Sequence, residues 1–232
     1  MTELRKTTPL PYFFPKKKKK LEERLTNLGF RRHSEPMSST SSLNVLAWNC
    51  RGICNDSTVE ALKTLIRQNH PVLIFLTETK VSNPSYMENL RLRLGFRNCE
   101  AVYSVNIDGD PGGQSGGLAL FWKDDWDVEF LSKSLNHIDV VVNPNHFSDR
   151  WRFTGFYGHP NTAEKFRTWD LLKDLTGRSS LPWLVAGDFN DILHNGEKDG
   201  GVWRRVGQMN LFNFALQVCE LNDLGYHGVQ YT

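Results

Sequence analysis

Two acids and two amides in this chain stand where apolar runs end. Asn49 closes the run Leu43–Trp48, and Glu78, between Thr77 and Thr79, follows Val72–Leu76. Tyr157, Gly158 and His159 close Trp151–Tyr157, while Asp188 and Asn190 follow Trp183–Ala186 through Gly187 and Phe189. Carboxylate and amide oxygens are hard ligands that suit Mg²⁺ or Mn²⁺. No Cys or His joins them, which disfavours zinc. Such a cation neutralises phosphate oxygens while a carboxylate or amide orients an attacking water, so the residue types point to phosphoryl chemistry.

Taken singly, each residue has a plainer explanation. Glu78 is an ordinary acid at a strand end, Asp188 after Gly187 can begin a turn, and Asn49 can cap the next segment. Tyr157 can be core, and His159 before Pro160 can be structural. Gly112, Gly113, Gly116 and Gly117 lack the G-K-[ST] of a phosphate loop, so they read as a flexible hairpin.

Rigid elements must carry these groups, because sites in α/β proteins are assembled at strand ends. Leu43–Trp48 and Val72–Leu76 read as buried strands. Between them Val59, Leu62, Leu65 and Ile66 repeat at helical spacing after an Asp56 or Ser57 cap, and Pro71 closes the helix. Tyr86–Leu94 reads as a second helix ended by Gly95. Ala101–Val105, Gly117–Trp122, Val128–Leu131, His137–Val142 and Trp151–Tyr157 read as strands joined by hairpins. Ala163–Leu175 is helical, Trp183–Ala186 is a short strand, and Val206–Leu221 is a helix with Leu211, Phe214, Ala215 and Val218 on one face. The mixture predicts an α/β domain with mixed sheets.

The chain has 232 residues, 39% of them hydrophobic, including 14 Phe and 7 Trp, which is enough for a sizeable core. Residues 1–42 differ from the rest. They carry ten Lys/Arg against four Asp/Glu, leaving eighteen against twenty-two for residues 43–232. With Pro9, Pro11, Pro15, the Lys16–Lys20 run and a hydroxyl-rich Ser38–Ser42, they read as a disordered basic tail, with at most a short helix over Leu21–Phe30. The lysine run has the composition of a nuclear address or a nucleic-acid arm. The domain is expected over 43–232. No apolar run is long enough to span a bilayer and no secretory signal opens the chain, so the expectation is an intracellular protein, nuclear rather than cytoplasmic, with no membrane partner. The four cysteines are expected to be reduced, and Cys50 and Cys54 lack the second pair of a zinc site.

In order, the motifs resemble those of a known family. Leu46-Ala47-Trp48-Asn49-Cys50-Arg51-Gly52 is similar to its opening W-N-x-R-G motif, and Leu76-Thr77-Glu78-Thr79-Lys80 to its E-T-K motif. Ser115–Trp122 resembles its central G-G-[LV]-A strand, Phe156-Tyr157-Gly158-His159-Pro160 its tyrosine strand, and Trp183–Asn190 its G-D-F-N motif. The family is the endonuclease/exonuclease/phosphatase superfamily, and the wording is closest to the endonuclease domain of plant non-LTR (LINE-type) retrotransposons. The resemblance implies a four-layer α/β/β/α sandwich of two mixed sheets. It implies Glu78 as metal ligand with Asn49 beside it, and Asp188 to orient and deprotonate water with Asn190 in support. Tyr157 would stabilise charge on the phosphate, and Asn49, Asn190 and His159 would touch substrate. The implied activity is Mg²⁺-dependent nicking of DNA, Mn²⁺ substituting, with no small-molecule cofactor.

Two departures qualify these expectations. Arg51 stands where some relatives carry an acid, which argues against a second tightly held metal. The later L-D-R and S-D-H motifs do not occur in the 232 residues. The expectation is therefore a C-terminally truncated copy lacking its last strands, with impaired activity. The alternatives are a non-catalytic fragment, or a phosphatase of the same superfamily acting on a small molecule or lipid.

Overall fold

The computed structural model describes residues 12–15, 44–106, 114–143, 145, 149–197 and 202–224. The Lys16–Lys20 run, the Leu21–Phe30 helix, Gly112 and Gly113, and residues 225–232 lie outside them.

In chain order the elements are β1 (Tyr12–Pro15), β2 (Val45–Asn49), α1 (Asp56–Asn69), β3 (Leu73–Thr77), α2 (Pro84–Arg93), β4 (Asn98–Val102), β5 (Val105–Asn106), β6 (Gln114–Ser115), β7 (Leu118–Trp122), β8 (Val128–Ser134), β9 (His137–Val142), β10 (Trp151–Tyr157), α3 (Lys165–Thr176), β11 (Trp183–Asp188), α4 (Val206–Val218) and β12 (Leu221–Asp223). One sheet has the order β2-β3-β7-β4, the other β12-β1-β11-β10-β9-β8. Each is mixed: β2 runs parallel to β3 and β10 parallel to β11, while the other pairs are antiparallel.

Alternation along the strands sorts side chains into three cores. Ala47, Phe75 and Leu120 face Val140, Phe153 and Leu184 between the two sheets. Trp48, Ile74, Leu76 and Phe121 point the other way, under Val59 and Leu62 of α1 and Met87 and Leu90 of α2. Phe156, Trp183 and Val185 meet Trp169 and Leu172 of α3 and Phe212 and Leu216 of α4. Successive strand residues point to opposite faces, so two buried faces per sheet produce the near-continuous apolar runs seen in the sequence. The result is the four-layer α/β/β/α sandwich.

Several local readings differ from the structure. The cap of α1 is Asn55, whose side chain accepts from the Ser57 amide, rather than Asp56 or Ser57. Asn55 has the extended backbone that a cap needs. The helix ends at His70 in the left-handed conformation, directly before Pro71, which cannot continue it. The expected Val206–Leu221 helix stops at Val218, and Leu221–Asp223 is a strand. Its buried face carries Met209, Phe212, Ala215 and Leu216, while Leu211, Phe214 and Val218 are exposed. Apolar residues encircle α4, so periodicity could not choose the stripe. Within the segment read as a disordered tail, Tyr12–Pro15 forms a strand between β11 and β12. The edge of β11 away from β10 offers backbone groups that a further strand pairs through its own backbone.

Candidate active site

Asn49, Tyr157 and Asp188 share one end of the inter-sheet layer because each lies two residues beyond an inward-facing core position. Those positions are Ala47, Gly155 and Ala186, and Ala47 and Ala186 belong to the inter-sheet core. The parallel registers Asn49↔Thr77 and Tyr157↔Asp188 bring both parallel pairs to their C-terminal ends at this point. Glu78 arrives differently. Leu76 faces the outer helices, so alternation alone would turn Glu78 outward too. Its backbone instead adopts a left-handed φ of 53°, which redirects the side chain toward the site. A positive φ at a non-glycine residue carries a conformational cost, and such residues cluster at functional sites. Arg51, Lys80 and Asn190 share it, at 49°, 53° and 52°.

Glycine is required on the Asp188 side. Gly187 has a φ of +148°, and a Cβ there would lie 1.9 Å from the Phe156 carbonyl oxygen. At Gly158 a Cβ would lie 1.8 Å from the Phe189 carbonyl oxygen. The backbones of the Tyr157 and Asp188 loops therefore touch, and the Gly158 amide donates to the Asp188 carbonyl at 2.8 Å.

The side chains form one connected group. The Asn49 amide donates to Glu78 Oε1 at 2.9 Å and to Asp188 Oδ2 at 2.7 Å. Its own oxygen accepts from the Arg51 amide at 3.2 Å. The Tyr157 hydroxyl donates to Glu78 Oε1 at 3.2 Å. Burial first, then the Glu78 carboxylate, pushes the Tyr157 phenol well above its ordinary range, so it remains a donor. The Asn190 amide N–H donates to Asp188 Oδ1 at 2.9 Å, and its side-chain nitrogen to the Gly158 carbonyl at 2.8 Å. Neither Glu78 nor Asp188 forms an ion pair with a base among the described residues.

Five of the six residues expected from the sequence are thus brought together. His159 is engaged on its own turn, where Nδ1 accepts from the Asn161 amide at 3.1 Å, and hydrogen bonds do not join it to the other five. The sequence reading missed three positioning groups. Asn136 donates its side-chain amide to the Tyr157 carbonyl at 2.8 Å, and its own carbonyl accepts from the Tyr157 amide. Lys165 and Asp191 lie behind Asn190, paired at 3.1 Å. A signal for Lys165 was present: it shares the helical stripe of Trp169 and Leu172, the buried face of α3.

Among the described residues no three His, Cys, Asp or Glu side chains converge. Two carboxylates flanking an amide do fit Mg²⁺, which is held typically by one or two carboxylates together with water and substrate phosphate.

The fold and this cluster define an α/β/β/α sandwich with a carboxylate–amide–tyrosine site at one end of its two sheets. The sequence profile of the endonuclease/exonuclease/phosphatase family matches residues 46–204, and the chain belongs to that family. Its fold is similar to an AP endonuclease from Archaeoglobus fulgidus, at 16% identity and a TM-score of 0.57, over 76% of this chain and 70% of the other. It is also similar to the AP endonuclease LMAP from Leishmania major, at 14% identity and a TM-score of 0.57, over 88% and 75%. The endonuclease domain of TRAS1, a telomere-specific non-LTR retrotransposon, aligns at 14% identity over 75% and 69%, with a TM-score of 0.47 that carries no weight. No curated protein matches the chain in sequence. No helix among the described residues is long and apolar enough to cross a membrane.

Proposed function

We propose that the chain is a Mg²⁺-dependent phosphodiesterase that nicks one strand of DNA, of non-LTR retrotransposon origin and acting in the nucleus. The observation that carries the hydrolytic part is the pair Glu78 and Asp188, spanned by Asn49 and without an ion-paired base among the described residues. Two nearby carboxylates repel unless something positive joins them, and a cation with a phosphate oxygen on it answers that need. The retroelement and DNA assignments rest on the five ordered motifs. They are supported by exposed Arg51 and Lys80, sequence neighbours of Asn49 and Glu78, because basic side chains beside a site hold a nucleic-acid backbone.

Glu78 would hold the cation, with Asn49 beside it and Mn²⁺ able to replace Mg²⁺. When bound, the cation neutralises charge on the scissile phosphate. Asp188 orients a water and takes its proton as the water oxygen bonds to phosphorus. Its carboxylate is fixed on one side by the Asn190 amide and on the other by Asn49. The bond from phosphorus to the 3′ oxygen breaks, giving a 3′-hydroxyl once that oxygen is protonated and a 5′-phosphate. The Tyr157 hydroxyl, held as a donor, faces the developing charge on a non-bridging oxygen.

The test is conversion of supercoiled plasmid to nicked circles by the purified chain. Nicking is expected with Mg²⁺ or Mn²⁺, and neither with EDTA nor in Glu78→Ala. Cleavage that persists in EDTA would overturn the metal-dependent reading. No cleavage of DNA, with release of phosphate from a small phosphomonoester, would favour a phosphatase.

A further inference from the structure

We propose that Lys165 is a positioning residue, whose ammonium clamps the Asn190–Asp191 loop and thereby sets the Asp188 carboxylate for water attack. The inference rests on the hydrolytic reading above and adds to it a residue outside the five recognised motifs.

Lys165 is fully buried. Its Nζ donates to the Asn190 carbonyl and pairs with Asp191 Oδ1 at 3.1 Å. Asp191 also accepts from Trp169 Nε1 at 2.9 Å and from Gln208 Nε2 at 3.4 Å, so α3 and α4 both grip it. Arg204 reaches the same Asn190 carbonyl at 3.4 Å. Asn190 stands in the left-handed conformation at a φ of 52°, with its amide on Asp188 Oδ1 at 2.9 Å and its carbonyl turned to Lys165. A single peptide unit thus separates the clamped carbonyl from the acid.

Stability alone gives little reason for a lysine at this position. It is the first residue of α3, where the helix dipole favours an acid and opposes a cation. Burial removes its hydration and freezes a long side chain. Desolvation lowers its pKa, and Asp191 acts against that. Among the described residues the ammonium's polar contacts lie in the two residues after the G-D-F motif. A buried ion pair is often replaceable by apolar groups without loss of stability. The ion pair acts through the geometry of the neighbouring acid, where a misplacement of about 1 Å costs on the order of 100-fold in rate.

Two variants separate the clamp from general folding. Lys165→Met removes the ammonium, and the double variant Lys165→Met/Asp191→Asn removes both charges while keeping an acceptor for Trp169. Steady-state nicking is expected to show kcat reduced about 30-fold with KM changed less than about twofold. Amide hydrogen exchange is read in the same proteins. Protection of the Asn190 amide is expected to fall about tenfold or more, while that of Val185, in the buried strand beside it, stays unchanged. The proposal is overturned if Asn190 protection is retained in both variants. It is equally overturned if Val185 loses as much protection as Asn190, or if kcat is unchanged while Asn190 is loosened. If the wild-type chain does not nick DNA, the hydrolytic reading falls on that result and the exchange comparison still decides the clamp.

Discussion

Two groups of charged side chains lie along β10 and its neighbours, and they are resolved in opposite ways. At the beginning of β10, Arg152 and Asp139 are both buried. The guanidinium binds the carboxylate through two bonds of 2.9 and 2.8 Å. Its Nη1 donates to the Leu175 carbonyl at 2.6 Å, and the group stacks on Trp183 at 4.8 Å. Thr154 donates to Asp139 and accepts from Trp183 Nε1. Every charge there has an internal answer. At the other end of β10, Glu78 accepts from Asn49 and Tyr157, and Asp188 from Asn49 and the Asn190 amide, but neither meets a base among the described residues. Neutralisation within the protein makes a structural joint, and neutralisation left undone makes a place for a ligand.

The two groups should respond to mutation in opposite ways. Glu78→Gln should lower the nicking rate by about three orders of magnitude, the scale of losing a main electrostatic group, while thermal unfolding shows no loss of stability. A variant that unfolds earlier would mean Glu78 is structural after all. Arg152→Met should do the reverse. It strands a buried carboxylate and should cost about 3–5 kcal/mol in denaturant unfolding, with kcat of the remaining folded protein nearly unchanged.

Smaller effects sharpen the contrast. Tyr157→Phe removes one hydrogen bond to a charged group and should reduce kcat roughly 10-fold to 100-fold. The raised phenol pKa implies that the wild-type rate shows no limb from Tyr157 between about pH 6 and 9. A loss of rate with rising pH in that range, absent in Tyr157→Phe, would contradict the assignment.

The smallest effect concerns His137, buried between Ser132 and Ser134 at 3.0 and 2.7 Å, next to the Asn136 that holds the Tyr157 backbone. Desolvation lowers its pKa from the ordinary 6.5. The folded state then binds the proton less well than the unfolded one. The stabilising contribution is complete above about pH 6.5 and declines as the pH falls toward the lowered value. His137→Gln should flatten that part of the stability–pH curve, as read by unfolding at a series of pH values.

Much of this was legible in the sequence for local reasons. Val-Leu-Ala-Trp-Asn and Trp-Leu-Val-Ala-Gly-Asp are apolar runs ending in a polar ligand type, and period two places Asn49 and Asp188 on the same side as Ala47 and Ala186. His137–Val142 and Trp151–Tyr157 have the strand bounds read from sequence. Strand alternation assigns Glu78 to the opposite face, so its membership of the site was legible only through the E-T-K motif and not through periodicity. Nor could it choose the buried stripe of α4, which is apolar on every side, or separate Tyr12–Pro15 from a basic tail.

The bounds of strands such as His137–Val142 and Trp151–Tyr157, the residue types that bind a hard cation and the helical spacing of Lys165 with Trp169 and Leu172 were properties of neighbours along the chain. The meeting of Asn49 with Asp188, 139 residues apart, was decided only by tertiary structure. So were the left-handed turn at Glu78 and the burial of Lys165 against Asn190. Those features depend on two sheets packing face to face with their parallel pairs ending together, and on backbone conformations that neighbouring loops hold against their intrinsic cost.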